Sequence, residues 1–407
     1  MVEVIKKRKK MIMDLFFNTF GFGIYMIAQQ IILLPVMARI FPDAEFSKIV
    51  LYVSVFAIIT NVLGSELGIV RQVKKDEVTS SSDYNRIMLQ LLPIIFVISV
   101  IILAMLGFSI IEIILLTITI MLGNIRLYSA AYFRTNKDFK NIVIQNIIYL
   151  IGIAIGIAIL YVAKFIWIPM LLAEVLCLFY DLVKTDLVKE KLNKTEKNKS
   201  IWLTFKDFGF ISSLVNMTTY FDKIIIYPIL GDRAVNVYYS TSSMSKVLAL
   251  ITNPLHGVIL SWLKGNDEKF KNKVTKLTLK VNMPIIALTL IIGLPITYLA
   301  VRILYPQYLD SALPLLLPVS LGMAFNTVAT LVKAILLKYV DSKKLVKSYI
   351  IYIIILIILG ITMSSFGGII GFAYATAISK FVLWIMFIFI LRNINKYSQG
   401  KEEKSEN

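Results

Sequence analysis

The 407-residue chain has one cysteine, Cys177, and one histidine, His256. A single cysteine excludes an intramolecular disulfide. A single histidine leaves a histidine-based zinc site or catalytic triad little to build from, so no metal is expected. Charge is also scarce. Charged residues make up 17% and hydrophobic residues 58%, against about 25% and about 45–50% in soluble domains. There is no GxxxxGK[ST] phosphate loop, which argues against an ATP-driven pump built from this chain alone. The polar stretches between apolar runs are only about 20 residues at most, too short to carry a catalytic core. The chain is therefore read as no enzyme, and no cofactor is expected. A basic start, KKRKK, precedes an apolar run too long for a cleavable signal segment.

What is abundant is apolar sequence, with a mean hydropathy of +0.78. A helix needs about 20 apolar residues to cross the hydrocarbon core. Such runs fall near 14–38, 47–70, 87–107, 110–131, 141–163, 165–186, 207–229, 234–263, 281–304, 311–338, 346–364 and 368–392. The expected fold class is an all-α polytopic membrane protein of about twelve transmembrane helices. Gly107-Phe108-Ser109 and the stretch from Ser364 to Gly368 fit tight hairpins between neighbouring spans.

Charge bias tests this count. With both termini on one side, 33 of the 43 Lys and Arg fall in the loops of that side. The opposite loops hold only Arg39, Lys48, Lys164, Arg233 and Arg302. That asymmetry places both termini in the cytoplasm. The net charge of +18 then follows from topology and attraction to anionic membrane lipids, with no nucleic-acid partner. The longest basic loop divides the chain into an N-terminal six-helix bundle (1–186), a cytoplasmic linker (187–206), a C-terminal six-helix bundle (207–395) and a polar tail (396–407) expected to be disordered. Two such halves often mark an internal repeat with a site at their interface.

Ionisable residues inside spans are costly and are functional candidates by default. Lys246 and Lys380 lie about half way along the eighth and twelfth spans. Arg126 and Lys333 lie nearer the cytoplasmic ends, where snorkelling to headgroups is the competing account. Asp222 and Lys223 are adjacent in the seventh span, about 100° apart on a helix, which predicts different partners for the two. Glu174 is mid-span in the sixth, and Glu66 is near the inner end of the second. Cations outnumber acids, so a cavity attractive to anions is expected, formed by Lys223, Lys246, Lys380, Arg126 and Lys333. Clustered Lys and Arg suit phosphate oxygens. Tyr25, Tyr220, Tyr238 and Tyr239 could supply sugar-stacking faces. Among breakers, Gly152 and Gly156 form a GxxxG packing motif, and Pro254 with Gly257 marks a candidate hinge in the eighth span. His256 reads as an interhelical donor.

Two stretches resemble a known family. One is LPVMARIFPDAEFSKIVLYVSVFAIITNVLGSELGIVRQV; the other is YFDKIIIYPILG followed by NVYYSTSSMSK. Both are similar to the polysaccharide repeat-unit (Wzx-type) flippases of the multidrug/oligosaccharidyl-lipid/polysaccharide exporter superfamily. Asn236 stands where that family often has glycine. The resemblance implies two six-helix bundles around a central, alternately opening cavity, as in the multidrug and toxin extruders. It implies a flippase that turns undecaprenyl-diphosphate-linked oligosaccharide from the cytoplasmic to the outer leaflet of the bacterial inner membrane, for capsule or O-antigen, beside polymerase machinery. It also implies a coupling ion, H⁺ or Na⁺, with Glu174, Asp222 or Glu66 as carriers. An ion-coupled drug antiporter of the same fold is the alternative, and a membrane-embedded polymerase is disfavoured by the short outer loops.

Overall fold

A computed structural model describes residues 2–74, 82–188, 198–244 and 268–394. Every regular element among them is helical. The first apolar run is helix α1 (Val2–Met26), a π-helical stretch at Ile27–Leu33, and α2 (Leu34–Ile40). The second is α3 (Asp43–Ile59), a π-helical stretch at Thr60–Ser65, and α4 (Glu66–Val73). Then come α5 (Ser82–Met105), α6 (Ile110–Thr135), α7 (Phe139–Ala163) and α8 (Ile168–Lys184). The remaining elements are α9 (Asn198–Ser242), α10 (Glu268–Leu304), the short α11 (Leu309–Ala312), α12 (Leu316–Tyr339) and α13 (Ser342–Arg392). Among the described residues, eight helical stretches are long and apolar enough to cross a membrane. Large aliphatic and aromatic side chains such as Ile101, Ile114, Ile151, Ile291 and Phe389 point outward on them. Outward greasy faces on long helices are what lipid solvates, and the chain is a multi-pass membrane protein.

The two longest helices are each two helices joined at a glycine. α9 turns at Gly231 (φ 75°) and α13 at Gly368 (φ 52°). A positive φ is readily adopted only by glycine, so these residues reverse the chain where the sequence predicts outer turns. The α5–α6 hairpin uses Gly107 (φ 77°). There Ser109 caps α6, and the Glu112 carboxylate returns a bond to the Ser109 N–H. Lys246, His256, Pro254 and Gly257, together with residues 189–197 of the linker and the whole tail, lie outside the described residues.

The helices fall into two compact units. Unit 1 comprises 1–37 and 51–216; unit 2 comprises 38–50 and 217–407. In unit 1, α7 lies against α8 through Gly152 and Gly156. A Cβ at either would meet the backbone of Ala173 or Pro169, so small residues set that approach. Gly64 and Gly68 do the same for the second run against α6, and the Gly64 N–H donates to the Asn124 side chain at 2.8 Å. One end of unit 1 is tied by Arg71. It pairs with Asp186 at 2.5 Å, donates to the Tyr128 hydroxyl, and lies among the rings of Tyr84, Tyr128 and Tyr132.

In unit 2, α12 packs along α13 and α10. Residues 38–50 are knotted to it by polar contacts. Asn236 donates to the Asp43 carbonyl at 2.9 Å and the Tyr308 hydroxyl to the Asp43 carboxylate at 2.6 Å. Ser47 donates to Asp232, and Gln307 donates to the Ala38 carbonyl. Phe46 is fully buried among Tyr239, Tyr305 and Tyr308.

Candidate functional site

Among the described residues, each unit holds a cluster of charge within its spanning helices. In unit 1 the centre is Arg126 on α6. Its Nε donates to Glu174 Oε2 on α8 at 2.9 Å, and its Nη2 to Oε1 at 3.1 Å. Arg126 is 3% exposed and Glu174 0%. Burying either charge alone is expensive, and the two-pronged pair answers both at once. The guanidinium also lies over two rings, Tyr25 of α1 at 4.8 Å and Tyr149 of α7 at 4.7 Å. Four helices thus converge on one cation, which is a packing device and an electrostatic one together.

Seven residues beyond Glu174, two turns along the same face of α8, lies Asp181. It is fully buried. Gln145 of α7 donates Nε2 to both of its oxygens, at 2.7 and 3.0 Å. Sequence reasoning missed Asp181 because it sits near the basic end of its span and looks interfacial. The available signals were the seven-residue spacing to Glu174 and the polar pair Gln145-Asn146 inside the apolar run of α7. The cluster Arg126, Glu174 and Asp181 carries one carboxylate more than it has cations.

In unit 2, Asp222 and Lys223 of α9 are 4% and 3% exposed. They pair with each other, Lys223 Nζ lying 2.7 Å from Asp222 Oδ1. This corrects the expectation that neighbours 100° apart seek different partners. The four-carbon lysine stem bends back along the helix, and its Nζ also donates to the Thr219 carbonyl at 3.3 Å. The ammonium lies 5.5 Å from the centre of the Tyr238 ring, and the Tyr238 hydroxyl donates to Thr376 at 3.2 Å. Lys380 of α13 is half-buried and within Coulombic reach of both Asp222 and Lys223. Its stem runs past Gly322 of α12, 3.6 Å from where a Cβ would stand. The cluster Asp222, Lys223 and Lys380 has one cation more than it has acids.

Two of the five cations expected to form a cavity are neutralised in place. Arg126 is taken up by Glu174, and Lys223 by Asp222, so neither pair adds net charge. Lys333 and Glu66 are half-buried, and both are engaged in other interactions. Lys246 lies outside the described residues. Tyr238 and Tyr239 are buried at 2% and 1% exposure. They are held by Phe372 and Thr376, and by Phe46 and Tyr305, so they are core rings here and not open sugar platforms. Tyr25 is committed to Arg126 and Tyr149. Among the described residues no group of three or more His, Cys, Asp or Glu could hold a metal ion.

No protein-family model matches the sequence, and no curated protein matches it. Solved structures do match by shape. The lipid II flippase MurJ in an inward closed conformation aligns with a TM-score of 0.68 at 16% identity, over 97% of this chain and 90% of that one. A multidrug resistance MATE transporter of the MOP superfamily, inward-facing, aligns at 0.61 and 13% identity, over 92% and 95%. A MOP superfamily transporter from Pyrococcus furiosus, described as having a binding pocket of reversed polarity, aligns at 0.56 and 12% identity, over 94% and 95%. All three are transporters or flippases and none is an enzyme. The chain accordingly has the multi-pass helical fold of the MOP superfamily transporters.

Proposed function

We propose that the protein is a flippase for undecaprenyl-diphosphate-linked oligosaccharide repeat units. It moves them from the cytoplasmic to the outer leaflet of a bacterial inner membrane by alternating access, for capsule or O-antigen assembly. Both termini are cytoplasmic in this account, and the polymerase machinery receives the product outside. The observation that carries it is the unit 2 cluster. Lys380 is the cation left over once Asp222 and Lys223 pair, at mid-depth in a spanning helix. A surplus cation at such depth is costly unless an anion visits it, and a diphosphate is such an anion. The likeness in fold to a lipid II flippase supports a lipid-linked cargo of this kind.

The excess carboxylate of unit 1 favours a second account, an ion-coupled exporter of organic cations on the same fold. Deleting the gene separates the two. Lipid-linked repeat units stranded on the cytoplasmic leaflet support the flippase. Normal surface polysaccharide with raised sensitivity to cationic dyes supports the exporter. Within the flippase account a coupling ion, H⁺ or Na⁺, supplies the drive.

A further inference from the structure

We propose that Asp181 is the proton-binding site through which unit 1 takes up and releases one H⁺ per conformational cycle. This rests on the transport account above and names the coupling ion and its seat. Arg126 satisfies Glu174 through both of its prongs, leaving Asp181 with no cation of its own at bonding distance among the described residues. Such a carboxylate in a low-dielectric interior is costly, and binding a proton removes the cost.

The partners suit two protonation states. Among the described residues the side chains set against the Asp181 carboxylate are neutral: the Gln145 amide on α7, which donates to it, and the Ser129 hydroxyl on α6, which lies near it. Ser129 is fully buried beside the carboxylate and does not reach hydrogen-bond geometry. An amide donates through its nitrogen to a carboxylate and, turned over, accepts through its oxygen from a carboxylic acid. An arginine or lysine could serve only the ionised form. The charged and titratable groups facing Asp181 are Arg126 on α6 and Glu174, Cys177 and Tyr180 on its own helix α8. Protonation adds H⁺ to one carboxylate oxygen and brings the Arg126, Glu174 and Asp181 cluster to neutrality. Release returns the extra negative charge. The cluster joins α1, α6, α7 and α8 through Arg126 and Gln145, so its charge state bears on how those helices pack. Na⁺ is the poorer fit, because both carboxylate oxygens already face an N–H donor and not a further oxygen ligand.

Infrared difference spectroscopy of the full chain in lipid nanodiscs, scanned over pH at fixed Na⁺, tests this. The expected result is a buried carboxylic-acid C=O band that grows as pH falls. It should be lost in Asp181→Asn, retained in Glu174→Gln, and moved in pH midpoint in Gln145→Leu. A band unchanged in Asp181→Asn, no band in the wild type, or a band abolished by added Na⁺ at constant pH would each overturn the assignment. Should Asp181→Asn fail to fold, Asp181→Glu must shift the band's midpoint. In proteoliposomes, a pH gradient should accelerate movement of lipid-linked oligosaccharide by the wild type and not by Asp181→Asn. Wild type that moves none of it would sink the cargo account, while the infrared result still decides the proton site.

Discussion

Removing either partner of the Arg126–Glu174 pair should destabilise unit 1, but unequally. Breaking a buried pair from one side costs about 3–5 kcal/mol, because a lone charge is left behind. In Glu174→Gln the stranded charge is the Arg126 guanidinium. It keeps its two tyrosine rings at 4.7 and 4.8 Å, and Asp181 is within Coulombic reach to balance it. That variant belongs near the low end, about 3 kcal/mol. In Arg126→Met two carboxylates, Glu174 and Asp181, are left without a cation, and both cation–π contacts are gone. Each such contact is worth up to about 2 kcal/mol when desolvated, so this variant should lose about 5 kcal/mol or more. The double variant Arg126→Met/Glu174→Gln removes both members of the pair and should recover much of the loss, since a buried pair exchanged for neutral groups is often near neutral. Equilibrium unfolding in mixed micelles, completed as a double-mutant cycle, reads all three. The reasoning is refuted if Glu174→Gln is the more damaging single change, or if the two losses simply add.

Further outcomes follow from other contacts. Gly156→Leu would drive a side chain into the Pro169 backbone, separating α7 from α8 at a cost of about 1–3 kcal/mol or more, visible as a lower unfolding midpoint. Gly322→Leu should displace the Lys380 stem that lies beside it and cut transport without removing any charge, whereas Gly322→Ala should be tolerated; a transport assay at matched protein level compares them. Asp43→Ala strips the acceptor used by Tyr308 and Asn236 and should weaken the hold on residues 38–50 by about 1–3 kcal/mol, read as faster hydrogen exchange confined to that segment.

How much of this was legible beforehand depends on the range of the interaction. The helical runs and their reversals are local matters. Gly107, Gly231 and Gly368 sit where apolar runs end, and their positive φ values bear out the turns. The GxxxG at Gly152 and Gly156 also spoke for itself, because a bare helix surface has few other uses. Pairing across the fold was not legible. Arg126 and Glu174 are 48 residues apart, and nothing in either span announces the other. The Asp222–Lys223 pair is hidden from a helical wheel, which places Cα–Cβ bonds and takes no account of a flexible lysine stem. Asp181 escaped notice because depth in a membrane is set by tertiary packing, and a residue close to a basic loop can still be fully enclosed. The π-helical stretches at Ile27–Leu33 and Thr60–Ser65 left no mark in composition either.

Under the proposed function, Lys380, the surplus cation of unit 2, receives a lipid-linked diphosphate. The most direct measurement of this is flipping by the purified full chain in proteoliposomes. The probe is a fluorescent undecaprenyl-diphosphate oligosaccharide, read by the fraction shielded from an external quencher. The account predicts transfer by the wild type, loss in Lys380→Ala and partial retention in Lys380→Arg, with all three proteins equally folded and inserted. Undiminished transfer by Lys380→Ala, or no transfer by the wild type, would contradict it.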